Sequence, residues 1–471
     1  MYALDLMNDK ARLEDLAKFA KDVALLHGFI FRPKEPQNSE LAEHITFTLF
    51  PTPVPRAAYL QAKAVQVHFN TLMARVSQDA DFLEEALAST VKVDDFIARL
   101  FRIHKTVVKE GRSPFIALGL NRSDYMLDQS QPGTSVLKQT EINTMAAGVG
   151  GLIHVLAKVH RIILMKAGRY EEERCILENN AVAGQTKAMA KAWELYGSQS
   201  AVALMLITGN DTNIFEQRSV QVELLKFNIT MILRRFKDVL ENGFLTEDGR
   251  LFVDGKEVAV VYYMHGFVPQ QYTSEEDWEA LLMIERSLAV KCPDIATHLA
   301  GTKKVQQVLS QPGVLERFFP EEPHAVEQIR ATFTRLYSLD MGPEGDRAVE
   351  MAIADPEHFI MKPQREGGGN NIYSQDISKV LKELKGPERS AYILMEKILP
   401  IPSPNILLRR DKPPTICDCL SELSMYGAYV RHGKEMVLNE PIGHLLRTKV
   451  ATDHEGGLMI GRSGIDNPLL Y

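Results

Sequence analysis

FIMKPQREGGGNNIY, residues 359–373, is the stretch on which the reading of this chain turns. A short apolar run, Phe359 to Met361, ends in Lys362. Gln364, Arg365 and Glu366 follow, then Gly367, Gly368, Gly369, Asn370 and Asn371, and a second extended run at Ile372 and Tyr373. The pattern reads strand, flexible loop, strand. Three consecutive glycines give up much chain entropy on ordering and are poor material for regular structure. What they permit is close approach of backbone N–H groups to a polyanion. Lys362 and Glu366 flank the loop: phosphate oxygens suit the cation, and a divalent metal bridging them suits the carboxylate. The same composition also suits a plain glycine-rich hairpin, so the stretch by itself leaves both readings open.

Working outward, 471 residues are enough for two or three domains with sizeable cores. The chain is 45% hydrophobic and 24% charged, an ordinary soluble globular balance. Lysine and arginine total 54 against 61 acidic residues, a net charge of −7, unlike the basic footprint of a nucleic-acid binder. Cys175, Cys292, Cys417 and Cys419 supply neither a disulfide framework nor CxxC spacing and are expected reduced. Cys417 and Cys419, on an extended run, are expected to face apart. MYALDLMNDK at the start lacks a basic segment followed by an apolar core, and no apolar run reaches membrane-spanning length. The expectation is a cytoplasmic protein with neither nucleic-acid nor membrane partners.

From Asn8 to about Leu26 apolar residues recur at helical spacing, with Asn8 as cap. A turn-rich segment through Pro51–Pro55 follows. Helical patterns then run from about Tyr59 to Glu110, a packing or subunit-contact layer. Phe115 to Leu120 reads as a strand entering a polar turn with Arg122, Asp124 and Tyr125. In KQTEINTMAAGVGGL (138–152), Glu141 and Asn143 sit two apart and share a strand face. They form a hard oxygen pair suited to Mg²⁺, although a solvated surface strand would read the same. AVALMLIT, a helical pattern from Phe215 to Leu225, and Asn228 to Leu233 make a strand–helix–strand unit. Asp254–Gly255 turns a hairpin in LFVDGKEVAVVYYM. Lys303 and Lys304 open another helix, and Ala391 to Ile398 reads as a buried strand able to wall a purine. His432–Gly433–Lys434 marks a second hairpin.

GxGxxG, GxxxxGK[ST], HRD with DFG, GxSxG and HExxH are all missing. What remains is dispersed: Lys303, Lys362 and Lys449 as cations, Glu141, Asn143 and Glu366 as metal ligands, and two glycine loops. Phosphoryl transfer asks for cations, Mg²⁺ and positioning rather than covalent help. The set is compatible with an ATP- and Mg-dependent enzyme.

KPQREGGGNN (362–371), GLNRSDYM (119–126), EINT (141–144), CPDIATHLAGTKKVQQ (292–307), YILMEKI (392–398) and GHLLRTK (443–449) closely resemble the eukaryotic-type glutathione synthetases. The match keeps the family's order over nearly the whole chain. The resemblance implies a mixed α/β, circularly permuted ATP-grasp fold with an inserted α/β substrate-binding subdomain, a glycine-rich lid, and a homodimer. On that pattern residues 1–197 are a helical part and the first part of the body, and 198–300 the substrate subdomain. Residues 301–335 are a helical segment of the body, 336–416 the lid and nucleotide region, and 417–471 the C-terminal part with a substrate loop. The implied reaction joins γ-glutamylcysteine to glycine with Mg²⁺ and ATP, through an acyl phosphate, releasing ADP and phosphate.

Matched by position, Glu141, Asn143 and Glu366 are implied as Mg²⁺ ligands. The implied ATP site comprises Lys303, Lys362, Glu366, Gly367, Gly368, Gly369, Asn370, Asn371, Tyr373, Met395, Glu396, Lys397, Ile398, Glu422, Lys449 and Glu455. The implied substrate contacts are Arg122, Ala146, Ala147, Gly148, Asp211, Thr212, Asn213, Gln217, Met264, His265, Gly266, Phe267, Arg447, Leu458 and Met459. Arg447, Arg122, Lys303 and Lys362 are the implied catalytic group. Three departures bear on substrate. Ala146–Gly148 replace a Ser-x-Ser pair, Met264–Phe267 replace Arg-Asp-Gly-Tyr, and Leu458, Met459 and Ile460 stand where glycine-using relatives carry small residues. An acceptor such as β-alanine therefore stays open beside glycine, and a nucleotide-binding protein without turnover is the third reading.

Overall fold

The computed structural model describes residues 9–34, 40–130, 135–209, 212–410, 412–453 and 463–471. Its centre is a seven-stranded, mostly antiparallel sheet. In spatial order the strands are Ser403–Leu408, Phe47–Thr48, Ser463–Asp466, Glu435–Val450, Ile416–His432, Ile116–Asp128 and Val136–Asn143. The two longest strands form a hairpin turned at Gly433, whose φ of 60° favours glycine. Both faces are covered. Leu423, Met425 and Tyr125 join the core beneath Arg56–Val76 and Asp95–Lys109. Tyr426, Ala428, Val430, Leu118 and Leu120 join a second core with Lys10–His27, Ile153–Lys166 and Ala181–Tyr196.

A six-stranded sheet holds four parallel strands, Met231–Arg234, Val202–Leu206, Lys256–Tyr263 and Val290–Cys292, with an antiparallel extension. The strand–helix–strand unit and the hairpin at Asp254–Gly255 are as read from sequence; both turn residues have positive φ, 50° and 72°. A four-stranded antiparallel sheet of Leu336–Ser338, Tyr392–Glu396, Phe359–Pro363 and Ile372–Tyr373 has its own small core, around Leu339, Phe359, Met361 and Leu394. The glycine loop thus joins two paired strands, with Ile360 opposite Tyr373.

Three local expectations are corrected. Ile116–Asp128 is one continuous strand, so Arg122 and Asp124 lie mid-strand and not in a turn. Pairing on both sides, with 416–432 and with 136–143, outweighs the polar composition. Asp9, not Asn8, caps the first helix through its carboxylate and the N–H of Arg12, 3.1 Å. Cys417 and Cys419 share a face with their sulfurs 3.6 Å apart, as the period of two in a strand requires.

Candidate active site

Along the inner strands of the large sheet one face changes from apolar to charged. Arg122 and Asp124 follow Leu118 and Leu120 on one strand, and Glu422 and Arg447 stand directly opposite each other on the hairpin. Glu141 and Asn143 pair with Asp124 and Arg122 across the next ladder. Opposite residues of an antiparallel pair project to the same side, so pairing alone gathers all six.

A bulge refines the gathering. Asp124 pairs with Glu141 but Tyr125 pairs with Gln139, leaving Thr140 as the extra residue. Its carbonyl, out of the ladder, accepts from Lys362 Nζ at 2.8 Å, and its hydroxyl donates to Glu422 at 2.7 Å. Two glutamines lock the neighbouring pieces. The Gln306 amide pairs with both backbone groups of Ile142 (3.0 and 3.1 Å), fixing the helix that starts at Lys303 against this strand. The N–H of Lys304 donates to Gln364 at 2.9 Å, tying the same helix to the segment that carries Glu366.

Asp124 is the hub. Fully buried, it accepts from Arg122 through two bonds of 2.8 and 2.9 Å, from Arg447 at 2.8 Å and from Asn143 at 3.0 Å. Burial would raise its carboxyl, but Arg122 and Arg447 hold it below the usual carboxylate range. Arg447 also bonds Glu422, and its buried Nε makes no hydrogen bond among the described residues. Lys303, 3% exposed, bridges Glu141 at 3.2 Å and Glu366 at 3.1 Å. Burial opposes the charge on Lys303, yet these two carboxylates push its pKa up. Burial raises Glu141 and the cations Lys303, Lys362, Arg447 and Arg122 bring it well down. Glu366 ends above the ordinary value because burial, helped by Glu141, prevails over Lys303. Burial also lowers Lys362. Glu366 Oε2 is buried without a hydrogen-bond partner among the described residues.

That orphaned oxygen tests whether a divalent cation fits. Asn143 spends its Nδ2 on Glu141 (3.2 Å) and Asp124, which leaves its Oδ1 as an acceptor beside two carboxylates. No cluster of three His, Cys, Asp or Glu occurs among the described residues that could hold a metal. Two carboxylates and an amide are instead a partial, all-oxygen set, the kind Mg²⁺ completes with water and phosphate oxygens.

Of the residues implied as substrate contacts, Thr212–Asn213 and Met264–Phe267 follow the carboxyl ends of the parallel strands, where open α/β sheets place ligands. Strands 202–206 and 256–263 run into Thr212–Asn213 and Met264–Phe267, and the N–H of Met264 donates to Leu206 at 3.1 Å. Gly266, at φ 97°, lets its own N–H and that of Phe267 bond Gln271 Oε1 at 2.7 and 2.9 Å. His265 packs against Phe236. Gln217, 1% exposed, donates to Asn213 at 3.3 Å, and its Oε1 has no hydrogen-bond partner among the described residues. Ala146 and Val149 take left-handed φ values of 47° and 75°, costly for L residues. This turn aims backbone N–H groups of Val149 and Gly151 at Glu216, whose carboxyl burial pushes up to about 7. Tyr426, opposite Arg122, donates to the carbonyl of Gly148 and links the two halves of the site.

Elsewhere Met395 is buried on the small sheet and Ile398 just past it, while Glu396 accepts from Tyr337 at 2.7 Å and the N–H of Lys397 donates to His358 at 2.9 Å. Gly367, Gly368 and Gly369 are exposed, with Asn370 donating to Gly367 at 3.2 Å and Asn371 to Tyr373 at 3.2 Å. Lys449 lies two residues past Arg447 on its strand, opposite Leu420. Asp211, Glu455, Leu458, Met459 and Ile460 lie outside the described residues. Asp124, Thr140, Glu216 and Tyr426 join the candidate site only through the tertiary structure. The Arg122–Asp124 spacing carried the signal for Asp124; nothing in the sequence marks the other three. A cavity of about 980 Å³ between the helices Ala80–Leu87 and Pro343–Ala354 contains no residue of this site.

Residues 10–470 match the family model described as eukaryotic glutathione synthase, ATP binding domain. The chain is 52% identical over 468 residues to the glutathione synthetase of Xenopus laevis, covering 99% of this chain and 98% of the relative. It is 52% identical over 465 residues to that of Homo sapiens, with 98% of each covered. A chloroplastic glutathione synthetase of Solanum lycopersicum is 41% identical over 437 residues, 90% of this chain and 77% of the relative. Among solved structures, a glutathione synthetase-like effector from Globodera pallida in apo form aligns with a TM-score of 0.79 at 26% identity, covering 98% of both chains.

Proposed function

We infer the activity from kinship and site together: the chain belongs to the eukaryotic glutathione synthase family, and it is an ATP-dependent ligase that makes glutathione. ATP is its co-substrate, with γ-glutamylcysteine and glycine as the pair to be joined. The observation that carries the reading is the buried and half-buried network of Arg122, Asp124, Arg447, Glu422, Lys303, Glu141, Glu366 and Lys362, assembled from six separate segments. A catalytically idle nucleotide binder has no need to keep it.

The network holds four cations and four carboxylates, so its formal charge is balanced before any ligand binds. A triphosphate entering it has to bring counter-charge or take over existing ion pairs. Glu141, Asn143 and Glu366 would hold a Mg²⁺ ion, whose chemistry when bound would be to offset charge on the phosphates; the orphaned Glu366 oxygen supports this ligand set. Lys303 and Lys362 would then face the phosphates, with Lys362 held in place by the Thr140 carbonyl. Arg447 and Arg122 would hold the dipeptide carboxylate, bidentate geometry being the particular capacity of arginine. Tied to Asp124, both guanidiniums are oriented before substrate arrives. On this scheme the γ-phosphoryl group passes to that carboxylate, and the glycine amine displaces phosphate.

The glycine loop and the 336–396 sheet act as the lid, a reading supported by their separate small core. Residues 198–300 act as the substrate subdomain. We place the protein in the cytoplasm as a homodimer, on the resemblance and on its four free cysteines; no described helix is long and apolar enough to cross a membrane. ADP release by purified protein with Mg²⁺, ATP and γ-glutamylcysteine, comparing glycine with β-alanine, tests the reading. Preference for glycine supports it. Preference for β-alanine would make Met459 and Ile460 specificity residues, and no dipeptide-dependent release with either would overturn it.

A further inference from the structure

At the start of the 416–432 strand, before Glu422, lies a second group of reactive side chains. Cys417 Sγ and Cys419 Sγ are 3.6 Å apart; Cys417 is half-buried and Cys419 is 1% exposed. Cys417 pairs with Asn405 in the strand that leads to Arg409. The Arg409 guanidinium acts on Cys417, and its Nε and Nη2 are buried without a hydrogen bond among the described residues. Two buried guanidinium nitrogens with idle donors on this half-buried side chain suit an anion. The hydrogen bond with Cys419 brings the Cys417 thiol down to about 7; burial opposes this and Arg409 adds to it. The same contact pushes Cys419 up. Cys417 is thus the sulfur disposed to ionise, with the Cys419 thiol placed 3.6 Å away to donate to it.

We propose that Cys417 and Cys419 form a thiol–disulfide exchange site whose co-reactant is a small-molecule disulfide. The Cys417 thiolate attacks one sulfur of the disulfide, forms a mixed disulfide and expels the other half as a thiolate. That thiolate takes the proton of Cys419. Cys419 sulfur then attacks Cys417 Sγ and expels the second half, which leaves as a thiol after taking a proton from water. Two cysteine thiols are oxidised to one bridge, and one disulfide is reduced to two thiols. Arg409 stabilises the attacking thiolate. Closure brings the sulfurs from 3.6 Å to about 2.0 Å across a single strand residue, and so bends the strand. The bend falls where Cys419 pairs with Val450 and the Asp418 carbonyl accepts from Ala451 at 2.8 Å, beside the Leu420–Lys449 and Glu422–Arg447 pairs. The exchange itself stands independently of the ligase reading.

The test incubates the purified full-length protein with glutathione disulfide, traps remaining thiols by alkylation and maps the peptides by mass. Exposed Cys175 serves as the internal control for a working oxidant. The expected result is a peptide containing 417–419 that has lost two hydrogens, restored by dithiothreitol. Cys419→Ser should stop at a glutathionyl adduct on Cys417, and Cys417→Ser should leave Cys419 unmodified. Arg409→Met should slow the reaction roughly threefold to tenfold. The proposal is overturned if Cys175 is modified while Cys417 and Cys419 stay alkylatable. Separate adducts on both cysteines with no bridge, or an Arg409→Met rate equal to wild type, would overturn it too.

Discussion

Asp124→Asn probes whether one buried carboxylate organises the site. The side chain has no exposure and receives four hydrogen bonds, two from Arg122, one from Arg447 and one from Asn143. Asparagine keeps the volume but offers one acceptor oxygen and turns an NH₂ toward guanidinium donors. Arg122 then loses its buried counter-charge, and Arg447 retains only Glu422. Removing one partner of a buried ion pair costs about 3–5 kcal/mol. With an unfolding entropy near 2.1 cal/mol/K per residue, a 471-residue chain has about 1 kcal/mol/K at its midpoint. The melting temperature should therefore fall by about 3–5 °C. The carboxylate's contribution is complete above the ordinary carboxylate pKa and is lost only as pH falls through its depressed value, so the deficit should show in full at pH 7. Losing one oriented, charge-assisted bond to the dipeptide carboxylate is worth about 1.5–3 kcal/mol, or roughly tenfold to a hundredfold in KM. ATP KM should rise less, since Lys303 and Lys362 make no hydrogen bond to Asp124 and only Asn143, of the implied metal ligands, bonds it. Thermal melts and initial rates of ADP release decide the matter. A wild-type midpoint with unchanged dipeptide KM, or an equal rise in both KM values, refutes the argument.

Arg447→Ala should raise dipeptide KM far more than ATP KM; initial-rate kinetics with each substrate varied in turn check this, and equal effects would remove Arg447 from the dipeptide site. Glu366→Gln should nearly abolish turnover and raise the Mg²⁺ concentration needed for half-maximal residual activity, as read from a metal titration; wild-type turnover would take Glu366 out of the metal site. Glu285, buried and raised by that burial to about 7, is penalised as pH climbs from the unfolded carboxylate value toward 7. Glu285→Gln should flatten the loss of unfolding free energy over that interval by about 2–3 kcal/mol, measured by urea melts at several pH values. An unchanged slope would show that Glu285 does not titrate there. Proteolysis at Gly367–Gly369 should slow when an ATP analogue is added, and equal cleavage with and without it counts against closure of the lid.

Much of the candidate site is legible in the sequence because its carriers are short and local. Lys362 to Asn371 is a strand end plus a loop, and Glu141 with Asn143 is an alternation on one strand, so spacing already says which side chains travel together. Three things were not legible. The 116–128 strand was read as a strand and a turn, because Asn121 to Asp124 look like loop residues until strands on both sides satisfy their backbone. Thr140 looked inert because a bulge is a register event between two strands, invisible in either one. Glu216 lies on a helix that meets the 146–151 turn only through tertiary packing.

By itself, then, the sequence determined the residue inventory, the local elements and, through long shared motifs, the family. Those are properties of neighbours along the chain, where periodicity and steric preference act. Only the tertiary structure decided that Asp124 is the hub, that Lys303 stands between Glu141 and Glu366, and that one Glu366 oxygen is left for a ligand. Charge balance and burial depend on which distant segments share a low-dielectric space. Asp124 and Arg447 are 323 positions apart, and no local pattern records that they meet.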